Sequence, residues 1–401
     1  MKRFIIISAA VLALCGALNA QEKVDFNKEF EKYEFTTIKA NPVTSVKNQY
    51  RSGTCWCFSG LGFVEAEVIR INGIKDPEDY PDFSEMFVVS KSYCDRADKY
   101  IRLNGNLTFA AGSECEDVLH VIKDYGIVPQ SEMPGLCYGT DKPVHGELDA
   151  VTKSFVEQIN KNPNRKLSTA WRKAFQGIVD AYLGECPETF TVDGKTYTPA
   201  TYRDALKFNP DDYISLTSYS HHPFYSWFCV EIADNWRYDE SYNVPIDELM
   251  EVIRGAIDKG YTVAWGADVS TEGFTRTGFA LLPDVESKSA AGSDQEHWVG
   301  KAEEKIVALD TIVVEKAPTQ ESRQAEFDDR TMTDDHGMLI YGTASDQFGR
   351  NYFIVKNSWG ITGKFDGIWY ASENFVKAQT VNVMVAKSAL PVSLKKRLGI
   401  K

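Results

Sequence analysis

The stretch that most constrains this chain is Gln49-Tyr50-Arg51-Ser52-Gly53-Thr54-Cys55-Trp56-Cys57-Phe58-Ser59, which sets a thiol at the head of an apolar helical pattern. Phe58, Leu61, Val64, Val68 and Ile71 recur three or four residues apart and predict a buried helix starting near Cys55. A thiol cleaves amides well only as thiolate, and a helix N-terminus and a nearby imidazolium both lower its pKa. Gly53 supplies a sharp turn into that helix. Gln49, six residues before Cys55, is placed to aim its amide N–H at the oxygen of a carbonyl under attack, beside the Cys55 backbone N–H. Taken alone, the stretch reads equally well as a buried cysteine beside a core tryptophan.

The other end of the chain tips that balance. Asp335-His336-Gly337-Met338-Leu339-Ile340-Tyr341-Gly342 reads as a strand led in by a histidine. Tyr352-Phe353-Ile354-Val355-Lys356-Asn357-Ser358-Trp359-Gly360 reads as a second apolar strand ending in Asn-Ser-Trp-Gly. A cysteine nucleophile needs a base, and the base needs a third group to fix its tautomer and orientation. Cys55, His336 and Asn357 supply these in chain order.

With those motifs the sequence resembles the papain-like cysteine peptidases, and within them the bleomycin hydrolase/aminopeptidase C family. Looser matches to that family are Phe83-Ser84-Glu85, Tyr93-Cys94-Asp95, Lys123 to Pro129, Asp212 to Thr217 and Gly260 to Val269. The resemblance implies an α+β, papain-like two-lobed fold. A helical lobe would carry the Cys55 helix, a β-rich, barrel-like lobe His336 and Asn357, and a helical subdomain would be inserted between them. It implies hydrolysis of peptides by Cys55 as a thiolate paired with imidazolium His336. Gln49 would stabilise the oxyanion, Asn357 would orient His336, and Trp359 and Trp56 would support the site. No cofactor is implied, and the assembly would be a homohexamer with its sites facing an inner cavity. In that family the C-terminal residues lie in the cleft and the terminal carboxylate meets the substrate's free amine. Leu390 to Lys401, with Lys395, Lys396 and Arg397 adjacent, reads equally as a short basic helix. Two features depart from the family: this tail, and Asp334-Asp335-His336-Gly337 where Thr-His-Ala is more usual.

Residues 1–20 read as an export signal, with Lys2 and Arg3, an apolar run from Phe4 to Leu14, and Leu18-Asn19-Ala20 before Gln21. The run is too short to span a bilayer, so a periplasmic or secreted protein without membrane insertion is expected. Losing the two cations takes the formal charge from −13 to −15, which argues against nucleic acid or anionic membrane as a partner. Seven of the eight cysteines follow the signal, and setting Cys55 aside leaves six whose disulfide pairing the sequence cannot rank. His336 lies 281 residues after Cys55, against roughly 130–150 in papain-like enzymes, so about as many residues again are inserted. Helical spacing in Leu148 to Asn160 and Leu167 to Leu183 locates the insertion. The expected division is a signal (1–20), an N-terminal segment with the helical lobe (21–145), the inserted helical subdomain (146–245), and the β-rich lobe with the tail (246–401).

Three other clusters read as ordinary structure. His221-His222 is not expected to hold a metal, because adjacent histidines on an extended chain point to opposite sides. Asp328-Asp329 and Asp334-Asp335 lack the Gly and Glu positions of a calcium loop and read as solvated. Ser113-Glu114-Cys115-Glu116 has the spacing of a capping box. His120 and His297 read as ordinary surface or satisfied residues, and His145, after Pro143, as an unremarkable loop residue. The function that follows is a thiol peptidase, most simply an aminopeptidase acting on peptides. An endopeptidase with an open cleft would use the same residues. A non-catalytic binding protein on this fold would lack one of Gln49, Cys55, His336 and Asn357, and all four are present.

Overall fold

Cys55–Asn72 forms helix α1, and every residue from Trp56 to Ile69 is buried. A helix apolar on all sides has to sit in the middle of a protein, packed all round. In this computed structural model, which describes residues 32–163, 166–271, 273–287, 304–306, 308–309 and 312–400, α1 is that central element. The expected signal at 1–20 and His297 lie outside the described residues. Helices α2 (Glu85–Arg102) and α3 (Asp117–Tyr125) pack on α1. Helices α4 (Gly146–Asn160) and α5 (Ala170–Leu183) pack in turn on α2, and α6 (Pro199–Ala205) lies against α3.

α1 also lies on a ten-stranded sheet, made of β1 (Phe35–Ala40), β2 (Tyr213–Thr217), β3 (Trp227–Cys229), β4 (Glu240–Asn243), β5 (Val263–Ala267), β6 (Phe279–Ala280), β7 (His336–Asp346), β8 (Asn351–Lys356), β9 (Ile368–Ser372) and β10 (Thr380–Ala386). The strand order is β3-β4-β2-β10-β5-β7-β8-β9-β6, with β1 also on β7. Its central strands are apolar and rich in β-branched residues; β10 is buried along its whole length. Helices α7 (Ile246–Asp258), α8 (Gln320–Asp328), α9 (Glu373–Gln379) and α10 (Val392–Leu398) complete the chain. The fold is α+β.

The register of this sheet positions the site. β7 pairs with β5 from His336 opposite Ala267 to Ile340 opposite Val263, then with β1 from Gly342 opposite Ala40 onward. On its other edge Leu339 faces Lys356 of β8. Continuing that antiparallel register past the end of β8 brings Asn357 to Trp359 level with His336. The span expected as a helical subdomain, 146–245, is helical in its first part, whereas its β2, β3 and β4 extend the main sheet beyond β10. The seven described cysteines are all free. No described helix is long and apolar enough to cross a membrane.

Candidate active site

Cys55 is the first residue of α1, as the apolar spacing predicts, and Thr54 before it makes no side-chain cap. The helix N-terminus therefore keeps unsatisfied N–H groups where the thiol sits. Burial pushes the Cys55 thiol up to about 12. The backbone N–H groups of Gly337 and Trp56 act on the sulfur in the opposite sense, favouring the thiolate, while the carboxylates of Asp334 and Asp234 disfavour it. Gly53 does not take a left-handed turn, contrary to expectation; the non-glycine residue with positive φ here is Tyr50, at 47°. What excludes a side chain at 53 is space, since a Cβ would lie 2.9 Å from Ala111 Cβ. Trp56 is buried and donates its indole N–H to Ala111 O at 3.0 Å.

His336 is buried at the start of β7, and its Nε2 lies 2.7 Å from Asn357 Oδ1. The same oxygen accepts the Ser358 N–H at 2.7 Å, so the Asn357 amide presents its acceptor to the ring. Nε2 must then carry the proton, leaving Nδ1 as the basic nitrogen. Burial holds the ring below the ordinary histidine value. The Trp359 ring covers it, with centroids 4.9 Å apart, and is itself braced edge-on by Phe274 and Trp369. Gly337, where the family usually has Ala, is explained by crowding: a Cβ there would lie 2.7 Å from Ser59 Oγ and 3.2 Å from Cys115 Sγ.

Gln49 is buried and doubly anchored. Its Oε1 accepts from Ser358 Oγ at 2.5 Å and its Nε2 donates to Ser52 O at 2.9 Å. Its backbone N–H reaches Ser358 O at 2.8 Å, tying this arm to the Asn-Ser-Trp segment. Lys47, two residues earlier, is held by Glu65 of α1 at 3.2 Å and by Glu85 of α2 at 2.6 Å. The Gln49 arm, the Cys55 helix and the Asn357 segment are thus one connected unit.

Residues 3–400 match the family described as Peptidase C1-like. The chain belongs to this family. Among its relatives are aminopeptidase C of Listeria monocytogenes serovar 1/2a and aminopeptidase G of Lactobacillus delbrueckii subsp. lactis. The first is 23% identical, covering 94% of this chain and 86% of the relative. The second is 23% identical, covering 87% and 82%. The crystal structure of PepW from Lactobacillus rhamnosis HN001 superposes with a TM-score of 0.67 at 18% identity, over 93% of this chain and 86% of that one. The resemblance carried by Cys-Trp, the histidine strand and Asn-Ser-Trp-Gly is therefore a true membership of the papain-like bleomycin hydrolase/aminopeptidase C family, and the chain is a cysteine peptidase.

This Peptidase C1-like chain also gathers carboxylates near Cys55 that read as ordinary structure in the sequence. Ser113-Glu114-Cys115-Glu116 is not a capping box. α3 starts only at Asp117, and Ser113 donates to the Asp117 carboxylate while accepting the Trp236 indole N–H at 2.6 Å. Glu114 and Glu116 are left to turn inward, where Asn382 of β10 donates to both. The Asp334-Asp335 loop is not simply solvated. Asp335 accepts from Val269 N–H at 2.9 Å and from Ser270 Oγ, while the Asp334 carboxyl turns to Glu114. Nothing in the spacing of these acids announces their meeting; it follows from strand register and loop path.

Two histidine readings are corrected as well. His221 and His222 lie in a turn, not a strand, so their rings converge, and both Nε2 atoms contact Glu231, at 3.0 and 2.9 Å. His145 is wholly buried, with neither ring nitrogen hydrogen-bonded, and desolvation lowers its pKa to about 4. His120 does lie at the surface, paired with Asp239 at 2.7 Å.

Proposed function

We propose that this peptidase is a thiol aminopeptidase in which Cys55, His336 and Asn357 act as a triad and Gln49 as oxyanion donor. The observation that carries the reading is the juncture of β7 with α1. The Gly337 N–H reaches the Cys55 sulfur, while the ring of the residue before it is locked by Asn357 with Nδ1 unprotonated. Burial raises the Cys55 thiol and lowers the His336 ring, while the Gly337 and Trp56 N–H groups favour the thiolate that attacks.

His336 Nδ1 takes the thiol proton, the sulfur bonds to the carbonyl carbon, and the carbonyl electron pair moves to oxygen. The second Nε2–H of Gln49 and the Cys55 backbone N–H stabilise that oxyanion. As it collapses the C–N bond breaks, and the imidazolium gives its proton to the leaving amine. Water then attacks the thioester with His336 as base, the C–S bond breaks, and the thiol regains its proton. Peptides are the substrates and no cofactor takes part. Homohexameric assembly and export belong to the same reading, and sedimentation and cell fractionation test them.

The decisive experiment compares aminoacyl and N-blocked fluorogenic peptides on wild type, Cys55→Ala and His336→Ala. Aminoacyl substrates should be cleaved by wild type alone. Cleavage that persists in Cys55→Ala moves the nucleophile elsewhere, and equal cleavage of blocked peptides makes the chain an endopeptidase.

A further inference from the structure

Glu114 is 5% exposed, and only one of its carboxyl oxygens has a donor, the Asn382 amide. Its Oε1 is buried without one, and the Asp334 carboxyl is within hydrogen-bonding reach of the Glu114 carboxyl. Two carboxyls in contact with no donor between them need either a shared proton or a cation. The strongest charged neighbours of Asp334 are all acids: Asp234, Glu114, Asp335 and Glu116. Arg96 donates through Nε and Nη1 to the carbonyls of Thr108 and Ala110 and acts on Asp234 and Asp117, and its buried Nη2 has no hydrogen-bond partner.

This acidic cluster adjoins the nucleophile. Cys115 Sγ lies 3.1 Å from Ser59 Oγ, which donates to Cys55 O at 2.9 Å. Asp334 and Asp234 both act on the sulfur. The loop from Val230 to Asp239 is stapled across the same segment. Trp236 donates to Ser113, Arg237 pairs with Asp117 at 3.1 Å, and Asp234 sits so close to Gly112 that a Cβ there would lie 2.0 Å from its Oδ2. The α-nitrogen of an amino-terminal residue is two bonds from the carbonyl carbon that the sulfur attacks, so its cation must fall beside the thiol.

We propose that Glu114 and Asp334, with Asp234 beside them, bind the α-ammonium of the substrate's first residue. This deepens the aminopeptidase reading and rests on it. Among the described tail residues, 390–400, there is no Asp or Glu side chain. The tail's helix α10 is packed through buried Leu394, with Arg397 4.1 Å over the Tyr225 ring. Occupation by an ammonium also offsets the charges that oppose the Cys55 thiolate, so a substrate with a free amine helps activate the thiol that cleaves it.

The test uses the full-length enzyme, Glu114→Gln, Asp334→Asn and the double variant, on a phenylalanyl fluorogenic amide and its 3-phenylpropanoyl analogue, which lacks the amine. Wild type should prefer the amine, and each variant should lose about 10- to 100-fold of that preference, mainly through KM, as expected for a charge-assisted bond. Iodoacetamide should alkylate Cys55 of Asp334→Asn faster than Cys55 of wild type. An unchanged preference in folded variants overturns the ammonium site and leaves the thiol aminopeptidase standing. Absence of Cys55-dependent cleavage of every aminoacyl substrate overturns both. If the variants do not fold, protection of wild-type Cys55 from alkylation by phenylalaninamide is compared with that by 3-phenylpropanamide. Equal protection overturns the site.

Discussion

Asn357 works through its oxygen: Oδ1 takes both the His336 Nε2–H and the Ser358 N–H, while its buried Nδ2 has no hydrogen-bond partner. Asn357→Ala should therefore free the ring and lower kcat roughly 10- to 100-fold with little change in KM, a part of the ~10²–10⁴ that a positioned acid–base group contributes. Steady-state kinetics on an aminoacyl amide checks this. An unchanged kcat would hand the orienting role to another group. Gln49→Ala removes the proposed oxyanion donor and should cost about 10²–10³ in kcat, again in steady-state assays. At this scale Cys55, His336, Asn357 and Gln49 were legible because rare reactive types stood in a meaningful order. Glu114 and Asp334 were not, since acids are common on any surface and only the path of two loops turns these inward.

At the scale of elements, α1 was legible from its apolar spacing, but not how completely it is enclosed. Its buried acids show the price of that position. Glu65, 1% exposed, takes Lys47 Nζ at 3.2 Å, the Phe83 N–H at 3.0 Å and the Thr44 hydroxyl. These contacts tie the approach to Gln49 onto the thiol helix. Glu65→Ala leaves Lys47 with Glu85 and Asp82 but removes the acceptor of the buried Phe83 N–H, and should destabilise the fold by about 1–3 kcal/mol. Urea unfolding measures it, and activity should fall before the helices melt as the Gln49 arm loosens. The strands were harder to read than the helices. Short β2, β3 and β4 gain their place only by pairing beyond β10 and with one another, a long-range event that no local pattern in 146–245 carries.

For the whole molecule, the buried titratable groups set opposing limits on stability. His145 has its pKa lowered from 6.5 to about 4, so its contribution is full above pH 6.5 and is lost as pH falls through about 4. Asp334 runs the other way. Burial first, then the acids around it, raise its carboxyl from 3.8 to about 7, so the folded state holds the proton more tightly than the unfolded chain. That contribution is full below about pH 3.8 and is lost as pH rises through about 7. The acidic cluster is thus a destabilising feature at neutral and alkaline pH. Asp334→Asn should melt about 2–4 °C above wild type at pH 8, and the difference should vanish near pH 4, where the wild-type carboxyl is protonated. Calorimetric scans across that range decide the matter. A variant less stable than wild type at pH 8 would mean that Asp334 already has a cationic partner within the fold, and the acidic cluster beside Cys55 would have no charge left for a substrate amine.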